Sequence, residues 1–157
     1  MAGGEELRRL LRRFPSGVAV VTVDLEGERI GLTVSSLVSL SLEPPLVGVA
    51  VSRQAALHEL LRRAGLFGVS LLAEGQEELA VRFSRGVPPI ALWTNVSVRD
   101  GAHGAPLLEG ALGWLECETR TEHGTGDHTL FVAEVVSAEP GAAARPLVHL
   151  DRRFVAV

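Results

Sequence analysis

Residues 17–23 read Gly-Val-Ala-Val-Val-Thr-Val. The run is β-branched and apolar at odd and even positions alike. A strand with one wet face alternates apolar and polar residues, so this strand has to be covered on both sides. Leu46 to Val51 repeats the pattern. The apolar share of the chain is 46%, and its 17 glycines carry it past the usual range of about 45–50%. No apolar run reaches the roughly 18–20 residues that span a bilayer. The excess is therefore expected to be buried in protein, and a homodimer with an apolar interface accounts for it.

The chain has 157 residues, which is one domain's worth, and residues 1–157 are expected to form a single unit. Its net charge of −4 does not suit coating of nucleic acid, which needs clustered positive charge. All basic residues are Arg, and there is no Tyr. One cysteine, Cys117, excludes an internal disulfide and a multi-cysteine zinc site. The first residues carry acids and arginines without a secretory apolar segment, and Glu5 and Glu6 argue against a mitochondrial presequence. A cytoplasmic protein is expected.

Glu5 to Phe14 reads as a helix with Leu7, Leu10, Leu11 and Phe14 on one face. Strands are expected at 17–23, 30–35, 37–42 and 46–51. Pro44 and Pro45 close the third of these. Leu57, Leu60, Leu61 and Ala64 then mark an amphipathic helix over 55–64, ended by Gly65. A strand over 66–72 and a helix over 76–83 follow, the latter with Leu79, Ala80 and Phe83 inward. Residues 86–91 read as a loop and 92–98 as a strand. Two long strands, 111–119 and 128–137, flank a Gly-rich turn over 123–127. Segments 146–150 and 153–157 finish the chain. Grouped strands with three helices between them do not give a doubly wound parallel sheet; they suggest a barrel or sandwich.

The sequence has no P-loop, no G-x-S-x-G and no complete dinucleotide fingerprint. His58-Glu59 lacks the second His of a metalloprotease, and no metal site is read. Three stretches stand out. Hydroxyls recur at Thr33, Ser35, Ser36, Ser39 and Ser41 within an apolar region. They are either ordinary strand residues or a row of donors suited to a flat heteroaromatic ring with polar edges. Val51-Ser52-Arg53 ends a strand where a helix begins. It is either a plain helix cap with a solvated Arg or a phosphate cradle. Gly126-Asp127-His128 puts a His at the mouth of a strand, for function or merely at the surface.

The order Phe14-Pro15-Ser16-Gly17-Val18, then GLTVSSLVSLSLEPPLVGVAVS, then Gln76 to Ser84, then Gly110-Ala111-Leu112 with Leu115-Glu116-Cys117, then GDHTLFVAEV, then Pro146-Leu147-Val148 resembles the flavin reductase-like family. These are short NAD(P)H:flavin oxidoreductases that serve two-component monooxygenases. The resemblance covers about Leu10 to Phe154. It implies a mainly β fold with α, a split β-barrel of the FMN-binding type with a few short flanking helices. It also implies a homodimer, FMN or FAD as flavin, NAD(P)H as co-substrate, and an oxygenase that receives reduced flavin. By this resemblance Thr33, Val34, Ser35 and Ser36 lie along the isoalloxazine and ribityl groups. Val51, Ser52 and Arg53 lie near the phosphate, Arg82 and Phe83 close over the flavin, and His128 is the catalytic residue facing the nicotinamide. The sequence departs from the family at Ala55-Ala56, where hydroxyls are common, and at His149 and Asp151. An electron carrier that binds FMN tightly without free-flavin turnover is the alternative.

Overall fold

The computed structural model describes residues 1–84 and 87–157. In chain order the elements are α1 (Gly4–Leu11), β1 (Ser16–Gly17), β2 (Ala19–Leu25), β3 (Glu28–Val34), β4 (Val38–Leu42), β5 (Pro45–Ser52), α2 (Ala56–Ala64), β6 (Leu66–Leu71), α3 (Glu77–Ser84), α4 (Pro89–Leu92), β7 (Val98–Asp100), β8 (Pro106–Leu108), β9 (Gly113–Thr125), β10 (His128–Pro140), β11 (Leu147–Leu150) and β12 (Arg153–Ala156). The fold is mainly β, with few helices.

The two-sided apolarity of β2 has a direct cause. Ala19, Val21 and Val23 enter one core, which also draws on β3, β5, β6, β9 and β10 and is sealed by Leu57, Leu60 and Leu61 of α2. Val18 and Val20 enter a second core with Ala80 and Phe83 of α3 and Leu92 of α4. Thr22 also faces the second side, where its buried hydroxyl donates to the Pro106 carbonyl.

The main sheet has seven antiparallel strands in the order β3-β2-β6-β9-β10-β5-β4. Its two outermost strands are consecutive in sequence, joined only by Ser35–Leu37. A smaller sheet, β1-β11-β12, brings both ends of the described chain together. There the Asp151 N–H donates to the Arg12 carbonyl at 2.8 Å. The β2–β3 hairpin turns through Glu26 and Gly27, both at positive φ, a two-residue loop whose twist matches that of the strands.

Cys117 lies in the first core, where burial and then the neighbouring Glu116 charge push its thiol up to about 12. Glu116 is itself buried, and its carboxylate accepts the backbone N–H groups of His103 and Ala105. No helix among the described residues is long and apolar enough to cross a membrane.

Four elements differ from the sequence expectation. Residues 92–98 are not a strand: α4 ends at Leu92 and β7 starts only at Val98. Pro89 at the first helical position has the right φ and no N–H to leave unpaired, so the Pro pair starts a helix inside the expected loop; residue 86 of that loop lies outside the described residues. The turn at 123–127 shrinks to Gly126 and Asp127, because β9 and β10 run 13 residues each. Helix α1 stops at Leu11, and its apolar face is bare. Leu7, Leu10, Leu11 and Phe14 are all exposed, Phe14 at 71%.

Candidate functional site

Strands β5 and β10 pair so that His128 sits opposite Ser52. Directly opposed residues share a face, with Cβ atoms about 5 Å apart. Ser52 and His128 are therefore presented together, while their neighbours Val51 and Thr129 turn into the core. The Arg53 N–H donates to the Asp127 carbonyl at 3.0 Å, stitching the turn after β5 to the turn before β10.

His128 is half-exposed, and its Nδ1 lies 2.6 Å from Oδ1 of Asp127. A carboxylate only accepts, so Nδ1 carries the proton and donates. That bond holds the Asp127 carboxyl below its ordinary range. It also sets the ring's orientation and leaves Nε2 without a hydrogen-bond partner among the described residues.

Arg53 has no ion-pair partner among the described residues. Its guanidinium crosses Gly124 so closely that a Cβ there would meet Nη2 at 2.5 Å. A glycine inside a strand often marks such a close approach. A free, exposed guanidinium held at a strand mouth is a ready partner for an anion.

Ser52 does not cap α2. The N-cap is Ala55, without a side-chain cap, and Oγ of Ser52 instead accepts from the Gln54 N–H at 3.3 Å. Ser52 and Gln54 line a cleft of about 450 Å³ together with Ile30, Gly31 and Leu32 of β3 and Phe83 and Ser84 of α3. The cleft combines an apolar wall with a few polar groups, which suits a planar ring bearing a polar tail.

The hydroxyl row divides. Oγ1 of Thr33 donates to the Ala80 carbonyl at 2.7 Å, fastening α3 to β3. Oγ of Ser36 is engaged twice by the backbone of Ala50. Ser35 is exposed and has no hydrogen-bond partner among the described residues. The side chains of Val34 and Val51 are buried in the first core.

Arg82 and Phe83 also turn to other tasks. Arg82 donates through Nη1 to the Thr94 carbonyl, and it lines a different depression with Glu78 and Asn95. Phe83 is buried, edge-on to Trp93 at 5.2 Å. The structure thus brings together Ser52, Arg53 and His128, lines the cleft beside Ser52 with residues of β3, and leaves Arg82 outside. Sequence reasoning quoted Asp127 without giving it a role, and missed Gly124. Adjacency to His128 pointed to the first, and a glycine beside a turn to the second.

The flavin reductase like domain family matches residues 11–157. The chain belongs to that family. It is 39% identical over 150 residues to the reductase component of 4-hydroxyphenylacetate 3-monooxygenase from Thermus thermophilus, covering 96% of this chain and 94% of that protein. It is 39% identical over 152 residues to an NADH-dependent FAD reductase from Streptomyces globisporus, covering 95% of this chain and 83% of that protein. Among solved structures, the S. globisporus NADH:FAD oxidoreductase SgcE6 in complex with NAD and FAD fragments superposes with a TM-score of 0.91 at 37% identity. That match covers 98% of this chain and 92% of the other. For the family member described here, the cleft beside Ser52 and the exposed Arg53 are groups that a flavin phosphate and ring can use.

Proposed function

We infer that this chain is an NAD(P)H:flavin oxidoreductase that supplies reduced flavin, FMN or FAD, to a partner monooxygenase. The observation that carries the reading is the cross-strand pair Ser52–His128, flanked by Arg53 and opening beside the cleft under β3. Arg53 and Ser52 hold the flavin phosphate, and the free hydroxyl of Ser35 and the backbone after β3 edge the ring. His128, oriented by Asp127, positions the nicotinamide. When bound, flavin and nicotinamide supply the hydride chemistry between themselves, and the protein aligns the two rings. No nucleophile or paired carboxylates are needed for that. Reductase components of monooxygenases among the relatives support an oxygenase partner. NAD(P)H as reductant supports a cytoplasmic location.

Two features support a split barrel over the whole chain. The link Ser35–Leu37 reaches at most about 14 Å, whereas the edges of a flat seven-stranded sheet stand about 29 Å apart. One core also receives side chains from six of the seven strands. The bare apolar face of α1, with exposed Val38, Leu40 and Leu42 on β4, supports a homodimer.

The test is a steady-state assay of NADH and NADPH against FMN, FAD and riboflavin. Turnover of free flavin is expected. Tight yellow co-purification without oxidation of either nicotinamide would instead identify an electron carrier.

A further inference from the structure

His58 has no part in the reading above, yet it is fastened to the site. It is the third residue of α2, and its Nε2 lies 2.8 Å from Oγ1 of Thr129. Its ring meets Phe131 edge-on at 5.6 Å. Thr129 is buried, and His58 is the sole partner of its hydroxyl among the described residues.

Thr129 follows His128 and pairs with Val51, which precedes Ser52. The bond thus ties the first turn of α2 to the strand pair just inside Ser52–His128. Consecutive strand residues project to opposite faces. A roll of β10 that moves the inward Thr129 therefore swings the outward His128. Beyond His128 the chain leaves the ladder at once for the exposed Gly126–Asp127 turn, with Gly126 at φ 67°. Strand ends next to such turns open most readily. The His58–Thr129 bond is an inward anchor at the last place where one can act.

We propose that His58 is a positioning residue for the nicotinamide step: through Thr129 it fixes the roll of β10 and so the direction in which His128 projects. The proposal rests on the reading that His128 faces the nicotinamide.

The experiment measures hydride transfer from NADH by stopped flow, on the full chain with flavin prebound, for His58→Leu, Thr129→Val, their double variant and His58→Gln. Melting temperatures and flavin affinities are recorded alongside. His58→Leu and Thr129→Val are each expected to lower kcat/KM for NADH by about three- to tenfold, the scale of one hydrogen bond. Flavin affinity should stay near wild type. The double variant should be no worse than either single one, because both remove the same bond. Gln, which can still reach Thr129, should restore most of the rate.

Lowered melting temperatures with wild-type kcat/KM would make the bond structural only and overturn the proposal. Additive losses in the double variant would do the same. Should His58→Leu fail to fold, the near-isosteric Thr129→Val decides alone. His128→Ala separates the two levels. A slow His128→Ala with a wild-type His58→Leu removes His58 alone. A wild-type His128→Ala overturns the underlying reading of His128, and the proposal falls with it.

Discussion

Ser36 holds Ala50 by both of its backbone groups, its Oγ donating to the carbonyl at 2.9 Å and accepting from the N–H at 3.1 Å. Pairing of β4 with β5 reaches only Val38 opposite Gly48, so a hydroxyl takes the place of a strand neighbour two residues further on. Ser36→Ala should therefore destabilise the fold by about 1–3 kcal/mol. Ser35→Ala should leave stability within about 0.5 kcal/mol and weaken flavin binding severalfold. Thermal unfolding and a flavin titration on both variants check this. Unchanged flavin affinity in Ser35→Ala would mean that its hydroxyl does not touch the ligand.

Arg53→Ala is expected to weaken FMN binding far more than riboflavin binding, since only FMN carries the phosphate. Gly124→Ala should shift affinity in the same direction, because its Cβ displaces the guanidinium lying 2.5 Å away. The displaced atom ends a flexible side chain, so the fold should be nearly unaffected. Fluorescence titration with the two flavins gives the comparison, and the same loss for both would reject the phosphate role.

Phe83 is a core residue first. Truncation to Ala should cost about 3–5 kcal/mol. A Cβ on Gly31 would lie 2.7 Å from the Phe83 ring, so Gly31→Ala should cost about 1–3 kcal/mol by overpacking. Replacing Phe83 by Leu first should relieve much of that second cost. Denaturant unfolding of the two single variants and the double variant measures the coupling, and strict additivity would contradict the contact.

Between about pH 9 and 12 the chain has one titrating side chain, Cys117, because it contains neither Lys nor Tyr. Its thiol ionises at the ordinary 9.0 in the unfolded chain and at about 12 in the folded one. Over that window the unfolded state has lost its proton and the folded state keeps it. Stability is thus full below pH 9 and falls as pH rises, by up to about 4 kcal/mol. Cys117→Ala should flatten the alkaline limb of the stability curve. An unchanged slope would show that the thiol ionises equally in both states.

The exposed face of α1 should be covered in a homodimer. Light scattering at micromolar concentration is expected to give twice the chain mass, and Leu10→Glu with Phe14→Glu should reduce it to one. A monomeric wild type with flavin present would refute this.

Much of this was legible in the sequence. The double apolarity of β2 announced two covered faces, and the leucines of α2 announced which side they seal. That Ser52, Arg53 and His128 stand at strand ends was legible, because strand ends and turns leave local signatures, and the pairing of β5 with β10 brings the three together as a candidate site. The tasks of Thr33, Ser36, Arg82 and Phe83 were not. Their partners Ala80, Ala50, Thr94 and Trp93 are 10 to 47 positions away, and nothing local marks a hydroxyl already engaged by backbone. The bare face of α1 was not legible either, because the spacing of Leu7, Leu10 and Leu11 marks an apolar face without saying what lies against it. The start of α4 was hidden by reading Pro89 as a breaker when it stands where proline favours a helix.

The burial of Cys117 has a consequence for endurance. A reductase that hands out reduced flavin in air works beside hydrogen peroxide, formed whenever oxygen takes the electrons before the partner does. Peroxide attacks thiolates far faster than thiols. The one sulfhydryl of this chain is fully enclosed and stays protonated well beyond physiological pH. The enzyme therefore offers its own by-product no accessible thiol, and repeated turnover in aerobic solution should leave its activity undiminished without added thiol reductant.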